Sequence, residues 1–162
     1  MAKASAGELL RPTVLDRLLQ PANQQSSAYG VGFRELRKAV ERDLEWLLNT
    51  TSWLPMDLSS FPESQESVLT YGIPDLSGRS WRSDSDSRAI SVLLERAIRI
   101  FEPRLQASSI HVVILPPDET DELRLRFRIE AILQVEPYSE PVTFDSTVEL
   151  DSGSIRVEGS GS

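Results

Sequence analysis

The chain has 162 residues, of which 40% are hydrophobic and 26% are charged, a composition typical of one soluble globular domain. It contains no cysteine, which excludes disulfides and thiolate metal sites, and His111 is its only histidine. The formal net charge of −8 opposes non-specific binding to nucleic acid and to anionic membranes, because both carry charge of the same sign. We therefore expect no metal, no cofactor and no nucleic-acid partner.

Neither a membrane span nor an export signal is predicted. No stretch of about 18 uncharged apolar residues occurs, and residues 1–12 lack the apolar run of a signal peptide. We therefore expect a cytoplasmic protein without direct membrane insertion. Composition divides the chain into an N-terminal docking segment with linker (1–30), one folded domain (31–158) and a Gly-Ser tail (159–162).

The first predicted element is a short amphipathic helix within residues 9–20. Leu15, Leu18 and Leu19 lie at helical spacing after Thr13, which is an N-cap residue type. The polar stretch that follows, up to residue 30, has no apolar period and is typical of a flexible linker. An apolar helix on such a tether either folds back onto the domain or binds another protein, and both interpretations stay open.

Two longer amphipathic helices are predicted to form one side of the core. The first runs from Phe33 to about Asn49 and the second from Arg88 to Glu102. Their apolar faces contain Phe33, Leu36, Val40, Leu44, Leu47 and Leu48 in the first helix and Ile90, Leu93, Leu94, Ala97, Ile98 and Phe101 in the second.

The segment between the two helices is predicted to be a long ordered loop. Residues 55–80 carry several prolines and glycines and no sustained period, apart from one turn of helix at residues 66–70. Residues 71–76 are typical of a specific turn. Residues 83–87 then offer several N-caps, with acidic charge that complements a helix start.

Strands occupy the C-terminal third of the chain. Residues 110–115 are rich in β-branched side chains, and residues 123–134 alternate apolar and polar side chains with the period of a half-buried strand. A third strand is predicted around residues 142–150, with a short fourth at 155–157 after a turn. The fold class is therefore α+β, with two core helices packed on a three- to four-stranded, mainly antiparallel sheet, plus the tethered N-terminal segment.

Three arginines, Arg124, Arg126 and Arg128, project from one face of the second predicted strand at a spacing of about 7 Å. Such a face is often simply solvated. The alternative is that an acidic protein surface lies across the sheet, or that a partner strand joins its edge.

The second core helix ends in an unusual way, at Glu102, Pro103 and Arg104, which we call the Glu-Pro-Arg corner. An acidic residue is disfavoured at the carbonyl end of a helix, and the proline pushes the preceding residue out of helical geometry. One interpretation is that both charges are solvated or paired with neighbours. The other is that the corner docks onto a partner, with each charge contributing about 1.5–3 kcal/mol when desolvated; on this interpretation the stability of the isolated fold should barely depend on the two charges.

Four segments in order, Val14–Leu18, Asp43–Thr50, Ser67–Asp75 and Phe101–Leu105, resemble the phage-tail baseplate wedge family. Within that family the chain is most similar to the TssE subunits of bacterial type VI secretion systems, over roughly residues 9–158. The resemblance implies a non-catalytic structural subunit without a cofactor. In the family, the corner that maps onto Glu102, Pro103 and Arg104 locks the subunit to the bundle of the larger wedge proteins, here TssF and TssG.

The family resemblance also implies further contacts. The family's sheet resembles the interlocking domain of the contractile sheath and is expected to template the first ring of sheath subunits, TssB and TssC, by strand exchange. TssK is a further expected contact. The corner and Leu15, Leu18 and Leu19 are thus the expected partner-binding residues, with the arginine face as the sheath-facing surface.

Two other functions are weighed against assembly. The family is sometimes called lysozyme-like, and a glycoside hydrolase would need two carboxylates about 5–9.5 Å apart, one of them in an apolar pocket. Glu102 lies beside Arg104 instead, and no nucleophile motif or phosphate-binding glycine loop is present. A soluble regulatory adaptor on the same fold is the third alternative.

Overall fold

The computed structural model describes most of the folded domain and two positions of the N-terminal segment. The described residues are Val14, Leu18, 33–52, 60–76, 83–116, 124–135, 138–149 and 153–159. The helices are α1 (Phe33–Leu48), α2 (Pro62–Gln65) and α3 (Asp84–Phe101), with 3₁₀ turns at Val68–Thr70 and Ala107–Ser109. The strands are β1 (His111–Ile114), β2 (Arg124–Val135), β3 (Tyr138–Glu149) and β4 (Ile155–Gly159).

The four strands form one antiparallel sheet in the order β1-β2-β3-β4. The predicted α+β class is confirmed, and so is the alternation of β2. Every second side chain of this strand is buried, whereas the three arginines between them face outward; the buried residues are Leu125, Phe127, Ile129, Ala131 and Leu133. β3 begins at Tyr138, earlier than the apolar pattern indicated, because it pairs with β2 over the full length of the hairpin.

The core lies between the inner face of the sheet and the apolar faces of α1 and α3. Leu44 of α1, Leu94 of α3 and Phe127 of β2 are each fully buried. α3 begins at Asp84, four residues before the predicted start, because the Ser83 side chain accepts a hydrogen bond from the backbone N–H of Asp86 (3.2 Å) and caps the first turn. The acidic residues of that turn complement the positive end of the helix dipole.

A side chain of α3 and one that follows α1 close part of both sheet edges. On the β4 edge, the Ile155 N–H donates to Asn49 Oδ1 (2.8 Å) and the Ile155 carbonyl accepts from Asn49 Nδ2 (2.6 Å). On the β1 edge, the Val112 N–H donates to Glu95 Oε1 (2.9 Å). Pairing with a partner strand predicts sheet edges whose backbone groups are free to bond, whereas at Ile155 and Val112 these groups already have partners within the chain.

Candidate docking site

The Glu-Pro-Arg corner is a tight turn that follows directly on α3. The backbone N–H of Glu102 still donates to the Ile98 carbonyl of α3 (2.9 Å), and the N–H of Leu105 then donates back to the Glu102 carbonyl (3.2 Å). Pro103 therefore occupies the second position of a four-residue turn, where its fixed φ is favourable and its missing N–H has no cost. Pro103 is exposed at the tip of this turn.

The two charges of the corner are paired with each other. The Glu102 residue is only 3% exposed. Its Oε1 accepts from the Arg104 backbone N–H (3.1 Å) and from Arg104 Nε (2.6 Å), while its Oε2 accepts from Arg104 Nη2. This bidentate contact between a guanidinium and a carboxylate is the geometry that gives strong charge-assisted hydrogen bonds.

Asp43 of α1 connects the corner to the first core helix. Its Oδ2 accepts from Arg104 Nη2 (2.6 Å), and its Oδ1 accepts from both Nε and Nη2 of Arg42 (3.0 Å each). The side chains of Arg104, Asp43 and Arg42 are 20%, 27% and 30% exposed, so the charges alternate from the buried Glu102 outward to the surface. We call these four residues the charge ladder.

Arg104 keeps its charge within this ladder. Burial by itself lowers its pKa, but the hydrogen bonds and charges of Glu102, and then of Asp43, raise the pKa above its ordinary value. Its Nη1 is buried and has no hydrogen-bond partner among the described groups. The ladder thus uses the acceptor oxygens of both carboxylates and leaves a donor of Arg104 unused.

The segment from Ser67 to Asp75 holds Tyr71 beside the ladder. Tyr71 packs edge-on against Phe101, with ring centroids 5.2 Å apart, and burial raises its pKa, as do the charges of Asp43 and Glu102. The next residue, Gly72, has a φ of +114°, and a Cβ there would lie 2.3 Å from the Thr50 carbonyl oxygen. Only glycine allows this close approach of the loop to the end of α1.

Comparison with known proteins identifies the family. Residues 34–138, about two thirds of the chain, match the family model of the baseplate wedge protein gp25. The chain belongs to the gp25 baseplate wedge family. No curated protein and no solved structure matches the chain significantly.

The family match confirms the resemblance stated from the sequence, and the matched range of this gp25-family chain includes both Asp43 and the corner. The family is one of structural baseplate proteins, which implies interaction with other baseplate components. None of the described helices combines the length and the apolar content that a bilayer span requires. In the part of the chain that the structure describes, no three His, Cys, Asp or Glu side chains are grouped to hold a metal ion.

The geometry changes one expectation about this wedge protein. The docking interpretation expected the stability of the isolated fold to be almost independent of Glu102 and Arg104. Because Glu102 is buried and paired with Arg104, removal of either partner would leave a charge within the fold without its main counterion, which is strongly destabilising. The role of Asp43 could not be predicted, since nothing in the sequence relates two polar positions 61 residues apart.

The arginine face has partners on the neighbouring strand. Arg128 Nε donates to Asp145 Oδ1 (2.7 Å), and Arg124 lies 3.7 Å from a carboxylate oxygen of Glu149. Each pair is directly opposite in the register of β2 and β3. The hydrogen bond and charge of Asp145 raise the pKa of Arg128. Arg126 Nη2 donates to the Pro116 carbonyl (3.3 Å). The arginine face is therefore not an uncompensated positive row, because Arg124 and Arg128 each lie beside a carboxylate of β3.

The N-terminal segment is described at two positions only. Val14 and Leu18 are helical and are 71% and 75% exposed, one turn apart, which agrees with an apolar stripe that does not pack on the domain. Leu15 and Leu19, the other predicted contact residues, lie outside the described residues.

Proposed function

We propose that the chain is a TssE-type structural subunit in the baseplate of a contractile type VI secretion machine. In this proposal the Glu-Pro-Arg corner binds the bundle formed by the larger wedge proteins TssF and TssG. The observation that supports it most is the charge ladder, which holds Arg104 in one orientation next to the exposed tip at Pro103. The family of structural baseplate proteins supplies the setting.

The Glu-Pro-Arg corner suits docking because the Arg104 side chain is already ordered before a partner binds. An arginine that is free in solution loses rotamer entropy when a partner immobilises it, at a cost of about 0.5–1.5 kcal/mol. In this chain Glu102 and Asp43 have already immobilised Arg104. A partner therefore meets a rigid turn and the partly exposed side chain of Arg104, and Glu102 acts from inside the fold without touching the partner.

Sheath contacts complete the proposal. The sheet would template the first ring of TssB and TssC, with TssK as a further contact, at the cytoplasmic face of the bacterial inner membrane. Pairing of a partner strand along β1 or β4 requires release of Glu95 from Val112 or of Asn49 from Ile155. The arginine face offers a second sheath-facing surface that needs no such release. The segment at 1–30 would add a contact through Leu15, Leu18 and Leu19.

The docking role is tested by affinity at a temperature where every variant is folded. The purified TssF–TssG complex from the same organism is titrated by calorimetry with the wild-type chain, Arg104→Ala and Pro103→Lys. Arg104→Ala removes the proposed contact, and Pro103→Lys places a long cation on the exposed tip without touching the ladder. Loss of at least about tenfold in affinity is expected for both.

Arg128→Ala is the matched control, because it removes an arginine that is also paired with a carboxylate, Asp145, but lies on the outward face of β2 and not in the charge ladder. Circular dichroism and a melting curve establish that each variant is folded at the titration temperature. Wild-type affinity for both corner variants would overturn the proposal. Should Arg104→Ala fail to fold, Pro103→Lys alone decides the question.

A further inference from the structure

The turn that begins at Tyr71 is anchored to the chain just after α1. The Ile73 N–H donates to the Thr50 carbonyl (2.9 Å), and the Ser52 N–H donates to the Ile73 carbonyl (2.9 Å). Ile73 is only 4% exposed, so its side chain is part of the core. Gly72 makes this approach possible, because a Cβ at this position would collide with the Thr50 carbonyl. These contacts fix the position of Tyr71 relative to the end of α1.

From this position Tyr71 contacts the last residue of α3. Its ring packs edge-on against Phe101, with ring centroids 5.2 Å apart, and both side chains are partly buried against the core. Phe101 directly precedes Glu102, the first residue of the Glu-Pro-Arg corner. Edge-to-face contacts add an attraction between the rings to the burial of their apolar surface. The aromatic pair therefore connects the turn, and through it the end of α1, to the end of α3.

The last turn of α3 depends on such tertiary contacts, because helix geometry alone does little to fix it. Glu102 lies at the carbonyl end of the helix, where the partial negative charge disfavours a carboxylate. The Glu102 N–H nevertheless bonds the Ile98 carbonyl (2.9 Å), and the Leu105 N–H closes the corner (3.2 Å). The charge ladder holds the Arg104 side of this turn, and the aromatic pair holds the Phe101 side.

We propose that Tyr71 is a positioning residue for docking: its ring holds the last turn of α3, and with it the Glu-Pro-Arg corner, in the conformation that a partner recognises. This inference rests on the proposed docking role of the corner. Tyr71 acts through Phe101 and does not need to touch the partner. A variant that populates the docking conformation only part of the time loses apparent affinity in proportion to that fraction, although its contacts with the partner are unchanged.

Hydrogen exchange of backbone amides, followed by NMR, tests the positioning in the isolated chain. Tyr71→Ala should speed exchange of the Glu102 and Leu105 N–H groups by about fivefold or more, because both bonds open with the last turn. Tyr71→Phe keeps the ring and should stay within about twofold of wild type. Phe33→Ala is the matched control: it removes another partly buried aromatic from the same core, at the first residue of α1, about 15 Å along the helix from Asp43. It should speed these two amides by no more than about twofold.

Affinity for the purified TssF–TssG complex is then titrated at a temperature where each variant is folded. Tyr71→Ala should bind about 5- to 10-fold more weakly than wild type, and so should the milder Tyr71→Leu, which keeps an apolar side chain without a ring. Tyr71→Phe and Phe33→Ala should stay within about twofold of wild type. Tyr71→Leu decides the question should Tyr71→Ala fail to fold.

The outcomes separate this inference from the proposed function. Faster exchange at the corner together with weaker binding in Tyr71→Ala or Tyr71→Leu supports the positioning role. Unchanged exchange, or wild-type affinity of both variants, overturns it and leaves the corner as the docking site, provided that Arg104→Ala and Pro103→Lys lose affinity. Equal weakening by Phe33→Ala would be a general effect of stability and also overturns it. Wild-type affinity of Arg104→Ala and Pro103→Lys overturns the proposed function and this inference together.

Discussion

The charge ladder and the arginine face both contain an arginine paired with a carboxylate, in two different environments. The side chains of Glu102 and Arg104 are 4% and 20% exposed, whereas those of Arg128 and Asp145 are both 42% exposed. Both pairs have hydrogen-bond geometry. Burial of an ion pair, rather than its mere presence, therefore decides how much the stability of the fold depends on that pair.

The physical reason is solvation. A charge at the surface that loses its partner returns to water and to mobile ions, so an exposed pair contributes little. A charge inside the fold that loses its partner is surrounded by neither water nor mobile ions, so the folded state is destabilised.

The largest effect is expected for Glu102→Ala. The substitution removes the main counterion of Arg104 and leaves Asp43 as its carboxylate partner among the described residues. The free energy of unfolding should therefore fall by about 3 kcal/mol and the melting temperature by roughly 10 °C. Urea denaturation followed by circular dichroism measures the change. A loss below about 1 kcal/mol would mean that the buried pair has no special importance for the fold.

Asp43→Asn should have an intermediate effect. The amide keeps an acceptor oxygen for one arginine but removes the negative charge between Arg42 and Arg104, which should cost about 1–2 kcal/mol. Urea denaturation of this variant, of Arg104→Lys and of the double variant forms a cycle that measures the coupling of the two positions. Additive effects would contradict a connected ladder.

Arg128→Ala should change stability very little. Because the side chains of Arg128 and Asp145 are equally exposed, we expect a melting temperature within roughly 2 °C of wild type. At about 0.5 M NaCl, where exposed charges are more strongly screened, the melting temperatures of the variant and the wild type should be equal. A melting curve at low and at high salt provides the measurement. A shift as large as that of Glu102→Ala would remove the contrast between the two regions.

The smallest effect concerns Tyr71 and appears only at high pH. Burial, and then the charges of Asp43 and Glu102, raise its pKa in the folded state above the ordinary value of 10.0. As pH rises above about 10, the unfolded state therefore loses this proton first, and stability falls until the raised pKa is passed. Tyr71→Phe should show a smaller loss of stability between pH 9 and pH 11 than wild type, measured by the urea midpoint. An equal loss in both would place the cause at other groups.

Local periodicity made much of the fold predictable. The three- and four-residue spacing of apolar side chains located α1 and α3, and the alternation from Leu123 to Gln134 located β2, because each pattern reflects the geometry of a single element. The α3 start was missed by four residues, since a cap at Ser83 depends on one side-chain hydrogen bond that several neighbouring serines and aspartates could equally make.

The two long helices, the strands and the rigid turn at Pro103 therefore follow from the sequence alone, because their causes lie within a few residues along the chain. Only the tertiary structure decided that Glu102 is buried, that Asp43 bonds Arg104 from 61 residues away, and that Arg128 meets Asp145 across the sheet. Those contacts depend on helix packing and strand register, which are set by the whole core at once. The energy of each ion pair follows from the water that the same packing excludes.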